Sequence, residues 1–298
     1  MADTSIFDSE TLVPDAGLAA RARTLLGFER RYGRVHDQLR LLLNADALGD
    51  WNKRHHSGKL VIAERVADQY PLIVFHGDVG TGKTVTAECV ANRLMTDAGM
   101  EDCTLFKLSN RVRGGGLVGQ MGSLLSEAFN RITAAVGKHR RAVLIIDEGD
   151  SIAATRTQDH SHHEDKVAVN TLIQGIDDLR RFKGRIAVIL CTNRLSVLDP
   201  ALLRRAAIVE GFDRPTDEER RELLAMDLDG LGLTKPQLAE LVALSGPRDD
   251  GPGWTFSDFR TRFYPSAVAM AFPDAALGFG HLREAAKAMT ASRVMEDR

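Results

Sequence analysis

The sequence predicts an α/β fold in which helices cover both faces of a parallel sheet, followed by a small all-helical domain. Three observations carry that reading. Five near-continuous apolar runs, Leu72–His76, Thr104–Ser109, Ala142–Asp147, Ile186–Thr192 and Ala207–Phe212, alternate with helical patterns, and strands apolar on both sides belong to a sheet buried on both faces. A glycine-rich turn carrying Lys and Thr lies directly between the first run and a helix. After Pro215 the strand-like runs stop, and Thr216–Asp229, Lys235–Ser245, Ser257–Phe272 and Gly280–Met295 read as helices, interrupted by the Gly/Pro/Asp segment Gly246–Gly253.

Along the chain, residues 1–15 are polar and acidic and read as a loose leader. From Gly17 to Leu43 the pattern is helical, with Leu18, Leu25, Leu26, Leu39, Leu42 and Leu43 forming an apolar stripe. Arg21, Arg23, Arg30, Arg31 and Arg34 lie off that stripe, as a solvated face or a partner contact. Helices are expected near Lys83–Ala98, Ser123–Val136 and Asp165–Phe182. A length of 298 residues suits one large domain and one small. The expected division is a leader and helix over 1–45, a large α/β domain over 46–214, and a helical domain over 215–298.

Composition narrows the function. Lys and Arg number 39 against 41 Asp and Glu, a net charge of −2, so there is no overall basic field of the kind that drives non-specific nucleic-acid binding. Cys89, Cys103 and Cys191 are far apart and lack CxxC spacing, which indicates neither a disulfide framework nor a zinc site. The N-terminus has no apolar signal region, and no apolar run reaches the ~18 residues that span a membrane. A cytoplasmic protein is expected.

The strongest motif is Gly77-Asp78-Val79-Gly80-Thr81-Gly82-Lys83-Thr84, which fits G-x-x-x-x-G-K-[ST] between strand and helix. Its glycines let backbone N–H groups converge on phosphate oxygens. Lys83 brings a cation to the β- and γ-phosphates of ATP, and Thr84 offers a hydroxyl to Mg²⁺. The helix that begins there points its positive end at the same anion, and Val85 in its first turn completes the loop's binding set. A second motif, Val143-Leu144-Ile145-Ile146-Asp147-Glu148, is a buried strand with two acids at its C-terminal end, where open α/β sheets bind ligands. Asp147 suits a Mg²⁺ holder acting through water, and Glu148 a general base on the attacking water. Asn193, at the tip of Ile186–Thr192, is either a turn former or a holder of the lytic water or γ-phosphate. Arg204 and Arg205 follow a short helix, as surface charge or as an arginine finger reaching a neighbouring subunit's γ-phosphate.

Together GDVGTGKT, VLIIDE, the triplet CTN ending at Asn193 and LDPALLRR resemble an AAA+ ATPase, in that family's order and spacing, over roughly residues 45–290. The resemblance implies a five-stranded parallel sheet, a helical lid, ATP at a subunit boundary and a homo-hexameric ring. It further implies that Asn193 is a sensor and that Arg204 or Arg205 acts in trans. The segments 105–132, 145–156, 167–193 and 204–216 look like the pachytene-checkpoint and thyroid-receptor-interactor branch, whose members convert HORMA-domain proteins between closed and open states. Only about 45 residues precede the core, too few for the N-terminal recognition domain of eukaryotic members. That resembles bacterial relatives that accompany HORMA proteins and nucleotidyltransferases in cyclic-oligonucleotide anti-phage systems.

The resemblance also assigns finer positions. The central-pore loop falls on Leu117, Val118 and Gly119, behind Gly114-Gly115-Gly116, with aliphatic residues where the family presents an aromatic one. An aliphatic grip has less area per step and favours limited unfolding. The lid sensor arginine falls on Phe259 when Pro265 is the anchor, and on Arg260 after a one-residue shift. His160–His163 lies where a second pore loop is expected, and reads as a polar loop, a substrate contact or a metal cluster. Trp51, in a segment where the family contacts adenine, reads as core packing. An AAA+ nucleic-acid motor or loader is the alternative function. A basic helix appended to the lid would mark it, and in 273–298 four basic residues are matched by four acidic ones.

Overall fold

The computed structural model describes residues 6–113, 120–153, 163–248 and 251–295. The chain forms two compact units: Met1–His76 with Thr84–Gly211 and Asp297–Arg298, and Gly77–Lys83 with Phe212–Glu296. The elements up to the start of the second unit's helices run β1 (Phe7–Val13), α1 (Ala16–Arg23), α2 (Phe28–Leu43), α3 (Ala45–His56), α4 (Val61–Ala67), β2 (Leu72–Gly77), α5 (Lys83–Asp97) and β3 (Cys103–Leu108). They continue with α6 (Gln120–Val136), β4 (Arg141–Ile146), α7 (His163–Leu179), β5 (Ile186–Thr192), α8 (Pro200–Leu203) and β6 (Ala206–Phe212).

The sheet order is β1-β3-β4-β5-β2-β6. β3, β4, β5 and β2 pair in parallel, and β1 lies antiparallel against β3. β5 is buried at every residue, which is why its sequence shows a continuous apolar run instead of alternation. One face of the sheet meets α6 and α7 through Leu125, Ile132, Leu172 and Ile176. The five expected strands are present, and a sixth, β1, replaces part of the expected loose leader. Its polarity is that of an edge strand: Phe7 and Val13 are buried, whereas Asp8, Ser9 and Glu10 face outward, and outward charge discourages edge-to-edge pairing. Phe7 packs on Phe106 with centroids 4.9 Å apart.

Two other expectations in this unit are corrected. The helix expected over Gly17–Leu43 is broken at Gly27, whose φ of 70° is left-handed and open to glycine without strain. The arginines beside it are not a bare solvated face: Arg31 is buried, Arg21 bridges to Glu88 at 3.1 Å and Arg34 to Glu210. Trp51 is 39% exposed, not core, and meets the His56 ring in a T-shaped contact with centroids 4.8 Å apart. All three cysteines are buried and free, and burial pushes the Cys89 thiol up to about 11, so it stays protonated and unreactive at neutral pH.

The second unit contains α9 (Asp217–Asp227), α10 (Lys235–Ser245), α11 (Tyr264–Ala271) and α12 (Phe279–Ala288). Thr216 with Glu219 and Thr234 with Gln237 form capping boxes that start α9 and α10. Trp254, Phe259 and Phe263 form a buried aromatic cluster, with Trp254 5.1 Å from each of the other two rings. The last helix ends at Ala288, short of the Met295 that the sequence pattern predicts. Its end is held by Arg248, which donates to Met289 O at 2.8 Å. Beyond it, side chains elsewhere in the unit take up the tail's backbone groups.

Asp258 is the main holder of that tail. Its carboxylate, 1% exposed, accepts from Ser292 N and Oγ, Thr255 N and Arg262 Nη1. Burial alone raises its pKa, but the hydrogen bonds from Ser292 and Thr255, with Arg262, hold it below the ordinary carboxylate range. The stabilisation is therefore complete above the unfolded pKa of about 4 and is lost as pH falls through the folded value. Asp258→Asn is expected to cost about 2 kcal/mol at pH 7. Thermal melts of variant and wild type should converge as the pH falls below the unfolded pKa and through the lower folded value.

Candidate functional site

The phosphate loop connects β2 to α5. Gly77 has φ 141°, and a Cβ there would sit 2.1 Å from Phe212 O. Gly80 has φ 77°, and a Cβ would meet Ser257 Cβ and Thr255 Oγ1 at 2.8 Å. Both positions exclude any side chain. Ser257 N–H also donates to Gly80 O at 3.1 Å, fixing the loop's apex. Lys83, 6% exposed, donates from Nζ to Gly77 O at 2.9 Å and Asp78 O at 2.8 Å. The loop thus holds a buried cation on its own carbonyls, a charge matched to phosphate.

Thr84, the first residue past that loop, donates its hydroxyl to Asp147 Oδ2 at 2.8 Å. Asp147 follows β4, and its Oδ1 accepts the Glu148 N–H at 2.9 Å. Glu148 is exposed and left-handed at φ 47°, ψ 47°, a conformation that costs a non-glycine residue about 1–3 kcal/mol and persists only where the surroundings fix it. They do so here: Ser151 N and Oγ both donate to Glu148 O. Gly149 packs so closely that a Cβ would lie 2.6 Å from the Leu190 side chain. An acid aimed outward by a strained turn is suited to act on a ligand rather than to cap a helix.

β5 lies between β4 and β2, with His76 opposite Thr192 and Ile146 opposite Leu190. Asn193 therefore emerges at the strand end between the phosphate-loop strand and the strand carrying Asp147. Thr192 Oγ1 donates to Asp150 Oδ1 at 3.3 Å, which ties that strand tip to the turn after Glu148.

The two arginines differ. Arg205 donates to Asp177 from Nε at 2.5 Å and Nη2 at 2.8 Å, and from Nη1 to Ala201 O at 2.8 Å, with its guanidinium 5.2 Å from the Tyr70 ring centroid. Arg204 is exposed, its Nε near Pro200 O at 3.3 Å. In the second unit, Phe259 is core and Arg260 points outward to Asp227, with two bonds of 3.0 Å. Residues Asp258–Phe263 form a π turn, which takes up one residue more than an α turn. Counting back from Pro265, that extra residue moves the outward position from Phe259 to Arg260.

Leu117, Val118 and Gly119 of the expected pore loop, and His160–His162 of the histidine cluster, lie outside the described residues. Among the described residues no group of three or more His, Cys, Asp or Glu is placed to hold a metal, and no helix is long and apolar enough to cross a membrane. Sequence reasoning missed Asp177, Asp150 and Arg214 as partners of site residues. No motif announces them; their roles depend on which elements pack together.

Residues 73–214 match the model of the ATPase family associated with various cellular activities (AAA). CD-NTase-associated protein 6 of Escherichia coli strain KTE188 is 59% identical over 297 residues, 100% of both chains. The protein of that name in E. coli strain MS 115-1 is 39% identical, over 98% of this chain and 97% of the other. A chain of the E. coli MS115-1 HORMA:CdnC:Trip13 complex superposes with a TM-score of 0.89 and 38% identity, over 97% of each chain. The Rhizobiales Trip13 structure does so with a TM-score of 0.73 and 34% identity, over 96% of this chain and 99% of that one.

Proposed function

The chain belongs to the AAA family of ATPases, in the group of CD-NTase-associated protein 6, and on that premise we propose that it spends ATP on remodelling a HORMA-domain protein allied with a nucleotidyltransferase in anti-phage defence. The observation that carries the reading is full-length similarity to CD-NTase-associated protein 6 combined with an intact Thr84–Asp147–Glu148 constellation.

In this reading Gly77–Val85 hold the phosphates, with Lys83 exchanging its loop carbonyls for phosphate oxygens. Thr84 and Asp147 fit a hydrated Mg²⁺, since a hydroxyl and a carboxylate already 2.8 Å apart are hard oxygen donors. When bound, that ion neutralises charge on the phosphates. Glu148 accepts the proton of the attacking water, and Asn193 orients that water from the neighbouring strand tip. Arg260 serves as the lid sensor by leaving Asp227. Arg204 is the finger that reaches a neighbouring subunit of a hexameric ring, and Arg205, held by Asp177, supports α8 behind it. Each cycle moves Leu117 and Val118 against a segment of the HORMA partner and loosens it.

The test is capture. Glu148→Gln chain supplied with ATP is expected to retain a HORMA-domain protein through purification from its native host, whereas wild type releases it. Recovery of DNA in place of that protein would turn the assignment toward a nucleic-acid motor.

A further inference from the structure

The first variable position of the phosphate loop is occupied by Asp78, a negative charge in a loop built for a polyanion. Its carboxylate is only 12% exposed and meets Arg214, itself 13% exposed. Arg214 Nε and Nη2 lie 2.7 and 2.5 Å from Asp78 Oδ2. The Val79 and Met295 N–H groups donate to Oδ1 at 2.9 and 3.2 Å. Arg214 is fixed in turn by Gly253 O at 2.7 Å and Ser292 O at 2.8 Å. The Asp78 carbonyl meanwhile accepts from Lys83 Nζ and from the Thr81 hydroxyl, both at 2.8 Å. One residue therefore joins the loop's lysine to an arginine anchored on the C-terminal tail.

We propose that Arg214 is a positioning residue for nucleotide binding, which neutralises the Asp78 carboxylate and holds it so that the phosphate loop presents a net positive face. The inference rests on ATP binding at Gly77–Thr84. Without Arg214 the carboxylate is an uncompensated charge beside the phosphates, and it repels them by Coulomb's law. The effect grows with the charge on the nucleotide and shrinks as salt screens it. Loss of mere packing would do neither.

The experiment is equilibrium binding of fluorescently labelled ATP and ADP to the full chain at low and high salt. Arg214→Ala is expected to weaken ATP binding on the order of tenfold, and ADP binding less, with the loss narrowing at high salt. The double variant Asp78→Asn/Arg214→Ala is expected to return to within about threefold of wild type. A double variant as weak as Arg214→Ala, or a loss equal for both nucleotides and indifferent to salt, would overturn the inference. Asp78→Asn alone keeps the test decisive if Arg214→Ala misfolds. It should bind ATP at least as tightly as wild type, and weaker binding would contradict the proposal. A wild-type chain that binds neither nucleotide overturns the loop assignment as well. Wild type and Arg214→Ala binding alike overturns this inference alone.

Discussion

Glu148→Gln is expected to lower ATP turnover by at least about 10²-fold while leaving ATP binding unchanged. The substitution is isosteric, so the left-handed turn and the hydrogen bond from residue 148 N–H to Asp147 survive it. What disappears is the ability to take a proton from water, since a carboxamide is not a base at neutral pH. The phosphate loop is untouched, because its fixed contacts run through Gly77, Asp78 and Ser257. Phosphate release together with binding of labelled ATP separates the two effects. Hydrolysis retained in Glu148→Gln would remove Glu148 from the mechanism.

Arg204→Ala is expected to reduce turnover by about 10³-fold, the scale at which arginine fingers act, with little change in the stability of the isolated chain. Arg204 is exposed and, among the described residues, its side chain makes a weak bond to a carbonyl of its own helix, so its removal strands no buried partner among them. Arg205→Ala is a different lesion. It strands the Asp177 carboxylate and the Ala201 carbonyl, and should lower the melting temperature along with activity. Mixing separates cis from trans. In the proposed ring, a mixture of Arg204→Ala and Glu148→Gln chains would contain sites with an intact Glu148 from one chain and an intact Arg204 from its neighbour. Activity should reappear on mixing two inactive variants. No recovery, or a fully active Arg204→Ala beside an inert Arg205→Ala, would place the finger elsewhere.

Much of the sheet and of the phosphate loop was legible in the sequence because it is local. A phosphate loop is a fixed spacing on consecutive residues, and its glycines Gly77 and Gly80 answer to positive φ combined with contacts too close for a Cβ. The strands of a doubly covered sheet are continuous apolar runs, so β2 through β6 could be placed within a residue or so. β1 was illegible for the converse reason. An edge strand needs only its inward residues apolar, and Phe7 and Val13 are too few to outweigh the acids between them. The register of Arg260 was ambiguous because a π turn changes the count of residues per turn, and nothing in composition signals it. The Asp78–Arg214 pair spans 136 positions, and the Arg205–Asp177 pair joins the turn after α8 to α7. Pairings of that kind follow from the topology and become visible only once the elements are packed.

The most direct measurement of the proposed function takes a purified complex of a HORMA-domain protein with a nucleotidyltransferase, the partners proposed above, adds the chain, and follows dissociation by size-exclusion chromatography. The expected result is dissociation that requires ATP, proceeds with catalytic amounts of chain, and fails with Glu148→Gln. A complex that stays intact while ATP is hydrolysed, or that falls apart equally well without ATP, would contradict the assignment of this ATPase as the remodeller.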